Sequence, residues 1–130
     1  DQLTVFDGGE LNMSSGELFA GKYGLGSPYA SYAPAVLRIR SGASGGITGG
    51  DLKVCGSTSA LYAGGLIIEE PTFQVSDSAT LIFMNGDLGT HYNTAMEVVD
   101  GVTIKNMIIN KPGNSIFIRN LRTDRTRFIF

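Results

Sequence analysis

The chain has 130 residues, a net charge of -2 and a single cysteine, Cys55. That length suits one domain with a real core, and one cysteine excludes an intrachain disulfide framework and any zinc site built on several thiolates. Charged residues make up 17% of the chain and Gly contributes 18 positions, so the charge content lies below the roughly 25% of an ordinary soluble domain. A weak, slightly negative field offers nucleic acid little. The single histidine, His91, excludes a multi-histidine metal centre, and no cofactor is expected. No apolar run approaches the roughly 20 residues of a membrane span. The sequence begins at Asp1, which reads as a single β domain over 1–130 cut from a longer product.

The first predicted strands are Leu3-Thr4-Val5-Phe6, Glu10-Leu11-Asn12-Met13 and Glu17-Leu18-Phe19-Ala20. They recur about every seven residues, separated by Asp7-Gly8-Gly9 and Ser14-Ser15-Gly16. That spacing is short for hairpins and natural for flat faces of a coil that turns a corner at each glycine. Residues 21 to 35 read as the longest loop, with Tyr23, Tyr29 and Tyr32 among Gly, Ser and Pro.

Val36-Leu37-Arg38-Ile39-Arg40 alternates apolar and basic residues, so one face of that strand is wet. Residues 41 to 50 read as a Gly/Ser linker, and no repeat is visible between Ala43 and Gly65. Strands are predicted at Leu52 to Cys55, Leu66 to Ile68, Thr72 to Val75 and Thr80 to Met84. Alternation puts Cys55 on the side of Lys53, while the usual fate of a lone thiol is burial. A second loop runs from Asp87 to Asn93 and holds His91 and Tyr92; Thr94 to Val99 is the best candidate for a single helical turn. Val102 to Asn110 predicts a strand pair or a bent strand, Lys111 to Asn114 a turn, and Ser115 to Asn120 a further strand. The chain ends Arg127-Phe128-Ile129-Phe130, an apolar terminus expected to be tied into the core or a subunit interface.

Gly101-Val102-Thr103-Ile104-Lys105-Asn106-Met107-Ile108-Ile109-Asn110-Lys111-Pro112-Gly113 resembles a rung of the right-handed parallel β-helix found in phage tailspikes and tail fibres and in pectin-lyase-like enzymes, and Leu3 to Ala20 is similar. The resemblance covers about half the chain. It implies short stacked strands with Gly and Asn at the corners, where positive φ is cheap. An antiparallel jelly-roll β-sandwich accommodates the same number of short strands.

The candidate binding residues are Tyr23, Tyr29, Tyr32, Tyr92 and His91. Tyr/Ser/Gly loops suit adaptable recognition, and aromatic faces stack on sugar rings. Glu69-Glu70-Pro71 reads as a charged strand end, since neighbouring strand residues point to opposite faces. Asp87, Glu97 and Asp100 lie near His91 and Tyr92 and are the candidates for proton transfer, but no lyase or hydrolase motif maps onto them. Residues 1 to 20 carry only acids, and residues 101 to 130 carry six bases against Asp124. Opposed charge of this kind suits contacts between copies.

These features, with the context the resemblance implies, point to a structural and receptor-binding domain of a viral or phage fibre or spike. It would sit on a virion or outside the cell, work as a homo-oligomer with a trimer favoured, and take a cell-surface glycan. The alternatives are a polysaccharide-degrading β-helical enzyme fragment and a capsid-decorating assembly module. An enzymatic role is the less expected.

Overall fold

A computed structural model describes residues 3–20, 37–55, 65–85, 94–112 and 116–120. These residues are all-β, without a helix. The strands are β1 Leu3–Val5, β2 Glu10–Met13, β3 Glu17–Ala20, β4 Leu37–Ile39, β5 Ser44–Ile47, β6 Gly50–Cys55, β7 Gly65–Ile68, β8 Gln74–Val75, β9 Ala79–Met84, β10 Thr94–Val98, β11 Thr103–Ile104, β12 Met107–Asn110 and β13 Ile116–Asn120.

They form three sheets, ordered β1-β4-β7-β10-β13, β11-β8-β5-β2 and β12-β9-β6-β3. Every pairing among them is parallel. The chain therefore visits the three sheets in rotation and returns about thirty residues later beside its own earlier strand, a repeat spacing within the range of stacked architectures. An antiparallel jelly roll is incompatible with this pairing. Parallel neighbours need a long crossover, and here each crossover consists of the two strands on the other sheets.

Register is set by inward-facing apolar residues. Leu3 pairs with Leu37, Leu37 with Leu66, and Val5, Ile39, Ile68 and Val98 follow one another on the first sheet. Met13, Ile47, Val75 and Ile104 line up on the second. Ala20, Val54, Phe83 and Ile109 do so on the third. β9 shows the alternation most cleanly: Ala79, Leu81 and Phe83 are buried, while Thr80, Ile82 and Met84 are partly exposed. Buried residues from all three sheets, with Ala43 and Phe73 from the corners, form one connected core. Each fully buried Leu or Ile there contributes about 1.5–3 kcal/mol. A slip of one residue would turn each of these sets outward, so burial pins the register.

The corners repeat as well. On leaving the first sheet, the amides of Arg40, Glu69 and Val99 donate to the carbonyls of Val5, Ile39 and Ile68 one turn earlier, at 2.9, 2.8 and 3.0 Å. On leaving the second, Thr48, Ser76 and Lys105 donate to Met13, Ile47 and Val75 at 2.7, 2.9 and 3.1 Å. The hydrogen-bond ladder thus continues through both bends, and backbone groups that a loose loop would leave to water are paired.

Two segments differ from the sequence expectation. Residues 41 to 50, read as a linker, contain β5, whose Leu11↔Gly45 and Asn12↔Gly46 register places it on β2. Thr94 to Val99, read as a helical turn, begins with β10, held between β7 and β13. Thr94 and Ala95 are both buried there, so the alternation that marks a strand is absent at its start. Val102 to Asn110 does bend, as expected: β11 and β12 belong to different sheets, with Lys105 and Asn106 at the corner.

Candidate functional site

Tyr23, Tyr29, Tyr32, His91 and Tyr92 all lie outside the described residues. Their positions in the topology are nevertheless informative. Residues 21–36 join β3 to β4, residues 56–64 join β6 to β7, and residues 86–93 join β9 to β10. In each case the chain leaves the third sheet and enters the first. The described strands that flank these segments, β3, β6 and β9 before them and β4, β7 and β10 after them, are stacked neighbours on the third and first sheets. Linear sequence gives no hint that the strands flanking the Tyr23–Tyr32 stretch and the His91-Tyr92 stretch belong to the same two sheets.

The floor of that corner is described. Cys55 and Met84 are register partners at the ends of β6 and β9, and Asn110 follows on β12. Cys55 is buried, as expected of a lone thiol, although alternation puts it on the side of Lys53: Val54 and Cys55 are both covered. Lys111 folds inward and is only 6% exposed, its ammonium donating to the Met84 carbonyl at 3.1 Å. Burial pushes the lysine below its ordinary value, and Cys55 in its thiolate form pulls the other way. Asn85 Nδ2 donates to the Pro112 carbonyl at 3.3 Å, which ties the last two turns together. Asn106 does the same nearer the preceding corner, donating to the carbonyls of Asp77 and Ala79 at 2.6 and 3.2 Å. Such side-chain ties hold the corner in one geometry without adding charge to its rim.

Several charged residues of the described chain have structural partners. Glu69 receives Arg38 on one carboxylate oxygen and Arg40 Nε, at 2.9 Å, on the other. Glu70 faces elsewhere: it accepts the Thr72 hydroxyl at 2.7 Å, the Gly42 amide at 2.9 Å and the Thr72 amide at 3.1 Å. The two adjacent carboxylates therefore do separate jobs, as their sequence neighbourhood implied. Lys53 pairs with Glu17 and lies 4.8 Å from the centre of the Phe19 ring, a cation–π contact on the outer face of the third sheet. Of the three proton-transfer candidates, Asp87 is outside the described residues, Glu97 lies on β10 and Asp100 in the turn beyond it. Among the described residues no three His, Cys, Asp or Glu side chains come together as a metal would need, and no helix is long and apolar enough to cross a membrane.

Glu70 provides a pH test of the bend between β7 and β8. The Thr72 hydroxyl, then the Gly42 and Thr72 amides, hold its carboxyl below the usual value. A depressed carboxylate stabilises the fold above its unfolded value and loses that contribution as pH falls through the folded one. The urea midpoint of the parent should therefore exceed that of Glu70→Gln by a constant amount above about pH 5, and the gap should close below about pH 4. A gap that stays the same at pH 3 would mean that charge on Glu70 is irrelevant to the turn.

Compared with known proteins, the chain matches no protein-family model, no curated protein and no solved structure.

Proposed function

We propose that the chain is a right-handed parallel β-helix acting as a structural and receptor-binding domain of a viral or phage fibre or spike. In this reading it works on a virion or outside the cell as a homo-oligomer, a trimer by preference, and takes a cell-surface glycan. The observation that supports it best is that the strands flanking residues 21–36, 56–64 and 86–93 are stacked parallel neighbours on the same two sheets. Recognition residues are generally carried on segments anchored to a stiff frame. Tyr23, Tyr29, Tyr32, His91 and Tyr92 belong to these segments in the sequence. Aromatic faces suit sugar rings, and the partner sugar's hydroxyls find donors and acceptors among the Ser and Asn residues of the same segments.

Glycan-array binding by the intact chain, repeated with Tyr23, Tyr29 and Tyr32 changed to alanine, tests the reading. Binding that falls about tenfold or more in the triple variant, corresponding to about 1.4 kcal/mol, is the expected result. The Tyr92→Ala variant should show a smaller loss on the same spots. An array without signal, together with a single-chain mass in native buffer, would refute both the receptor and the homo-oligomer parts of the proposal. An array without signal from an oligomeric protein would favour an assembly module instead. Cleavage of an acidic polysaccharide by the chain would favour the enzymatic alternative.

A further inference from the structure

At the bend from the first sheet to the second, two tight turns of the chain lie one above the other. Phe6 to Gly9 closes with the Gly9 amide donating to the Phe6 carbonyl at 2.8 Å, and Arg40 to Ala43 closes with the Ala43 amide donating to the Arg40 carbonyl at 3.1 Å. The Gly8 amide donates to the Gly42 carbonyl at 3.1 Å and the Arg40 amide to the Val5 carbonyl at 2.9 Å, so the two turns are laced together. Val5 and Ile39 are buried register partners. Phe6 and Arg40 follow them and are both exposed, as alternation requires. Phe6 is 65% exposed, more than any other large apolar side chain among the described residues, and the core does not use it. The Asp7 carboxylate lies against Gly42. Arg40, its side chain 46% exposed, is held through Nε, 2.9 Å from Glu69, whose other oxygen takes Arg38. Among the described residues the terminal nitrogens of Arg40 donate no hydrogen bond and the Asp7 carboxylate accepts none.

We infer that Phe6, Asp7 and Arg40 form a binding site for one neutral pyranose ring. Neighbouring parallel strands stand about 4.8 Å apart, so the aromatic ring and the guanidinium leave the stack at a spacing that one sugar bridges. The C–H face of a pyranose is apolar and stacks on an exposed aromatic ring. Its hydroxyls both donate and accept, and here they meet groups that do only one: the guanidinium donates and the carboxylate accepts. The unspent end of the Arg40 fork takes two adjacent ring oxygens. The ion pair with Glu69 fixes that fork beforehand, which lowers the ordering cost of binding. Charge selects the class of sugar. Arg38 and Arg40 stand with Asp7, Glu69 and Glu70 around this bend, two bases against three acids, so a carboxylated or sulfated sugar meets net repulsion. The inference rests on the glycan reading for the class of its ligand, but it shares no residue with the tyrosine segments.

Amide shifts of the isotope-labelled full chain, titrated with the methyl pyranosides of galactose, glucose and mannose, test it. At least one of these sugars should move the Gly8, Gly9 and Gly42 amides saturably, and galacturonate should act on the same amides about fivefold more weakly or worse. Phe6→Ala and Arg40→Lys should each weaken that sugar about tenfold; lysine keeps the charge and loses the fork. Both positions are exposed, so the urea midpoints of the variants should stay close to that of the parent. Absence of saturable movement with all of these sugars, equal or tighter binding of galacturonate, or parent-like affinity in either folded variant overturns the inference. Should a variant not fold, the parent's choice between neutral and acidic sugar decides alone. The chain with Tyr23, Tyr29 and Tyr32 changed to alanine should keep the shifts; their loss there would move the sugar to the tyrosine segments and overturn the inference as well. Array binding that depends on those tyrosines while the Gly8 and Gly42 amides stay still leaves the earlier reading standing and removes this one.

Discussion

Truncating Phe83 to alanine is expected to lower the stability of the chain by about 3–5 kcal/mol, read as a shift in the urea midpoint at unchanged slope. Phe83 is fully buried on β9, between β6 and β12, with Val54 and Ile109 as register partners on either side. Its neighbours are held by backbone ladders on two turns, so the space vacated cannot close without bending strands that are paired on both edges. Ile82→Ala is the control: Ile82 occupies the adjacent position on the outer face, partly exposed, beside Lys53 and Ile108. It should cost about 1 kcal/mol or less, within the range of substitutions away from the core. Equal losses at the two positions would mean that the third sheet does not present Phe83 to the interior.

A second large effect is expected at Gly45. Its φ is +109°, outside the range that L side chains adopt comfortably, and a Cβ built there would stand 2.1 Å from the Leu11 carbonyl oxygen on the neighbouring strand. Backbone strain of this kind costs about 1–3 kcal/mol, and forcing two paired strands apart adds about 1–3 kcal/mol of overpacking. Gly45→Ala should therefore approach the whole stability of a domain of this size, and the variant should melt many degrees lower or fail to fold. Gly16 separates the two causes. Its φ is +80°, but nothing lies within 4 Å of where a Cβ would sit. Gly16→Ala should lose only the left-handed conformational cost, about 1–2 kcal/mol. If both variants melt alike, close approach of β2 and β5 is not what Gly45 serves.

That contrast explains how far the sequence could be read. Strands with an apolar alternation, such as β9, or with bounded apolar runs, such as β3 and β7, were legible because burial and sequence pattern coincide there. β5 was not, because Gly45 and Gly46 carry no pattern at all: their place in the sheet is dictated by the strands on either side, Leu11 and Asn12 below and Gln74 above. β10 was misread because Thr94-Ala95-Met96-Glu97 suits a short helix as well as a strand, and only pairing with β7 and β13 decides. The repeat was hidden for a related reason. It resides in which positions face inward, and segments of unequal length at one corner interrupt its spacing along the chain. The candidate residues Tyr23, Tyr29, Tyr32, His91 and Tyr92 could be selected by type, but that the strands flanking their segments share two sheets follows only from strand order.

The unequal corner has a practical side. Two bends of every turn keep nearly constant length and carry the amide-to-carbonyl ladder, while the third accommodates everything from residues 113–115 to residues 21–36. Length at that edge is therefore decoupled from the alignment of the stack, and loop length itself costs little free energy. A foreign peptide spliced between Cys55 and Gly65 would inherit a rigid mount on both sides, so this chain offers a display scaffold whose cargo can be exchanged without rewriting its core.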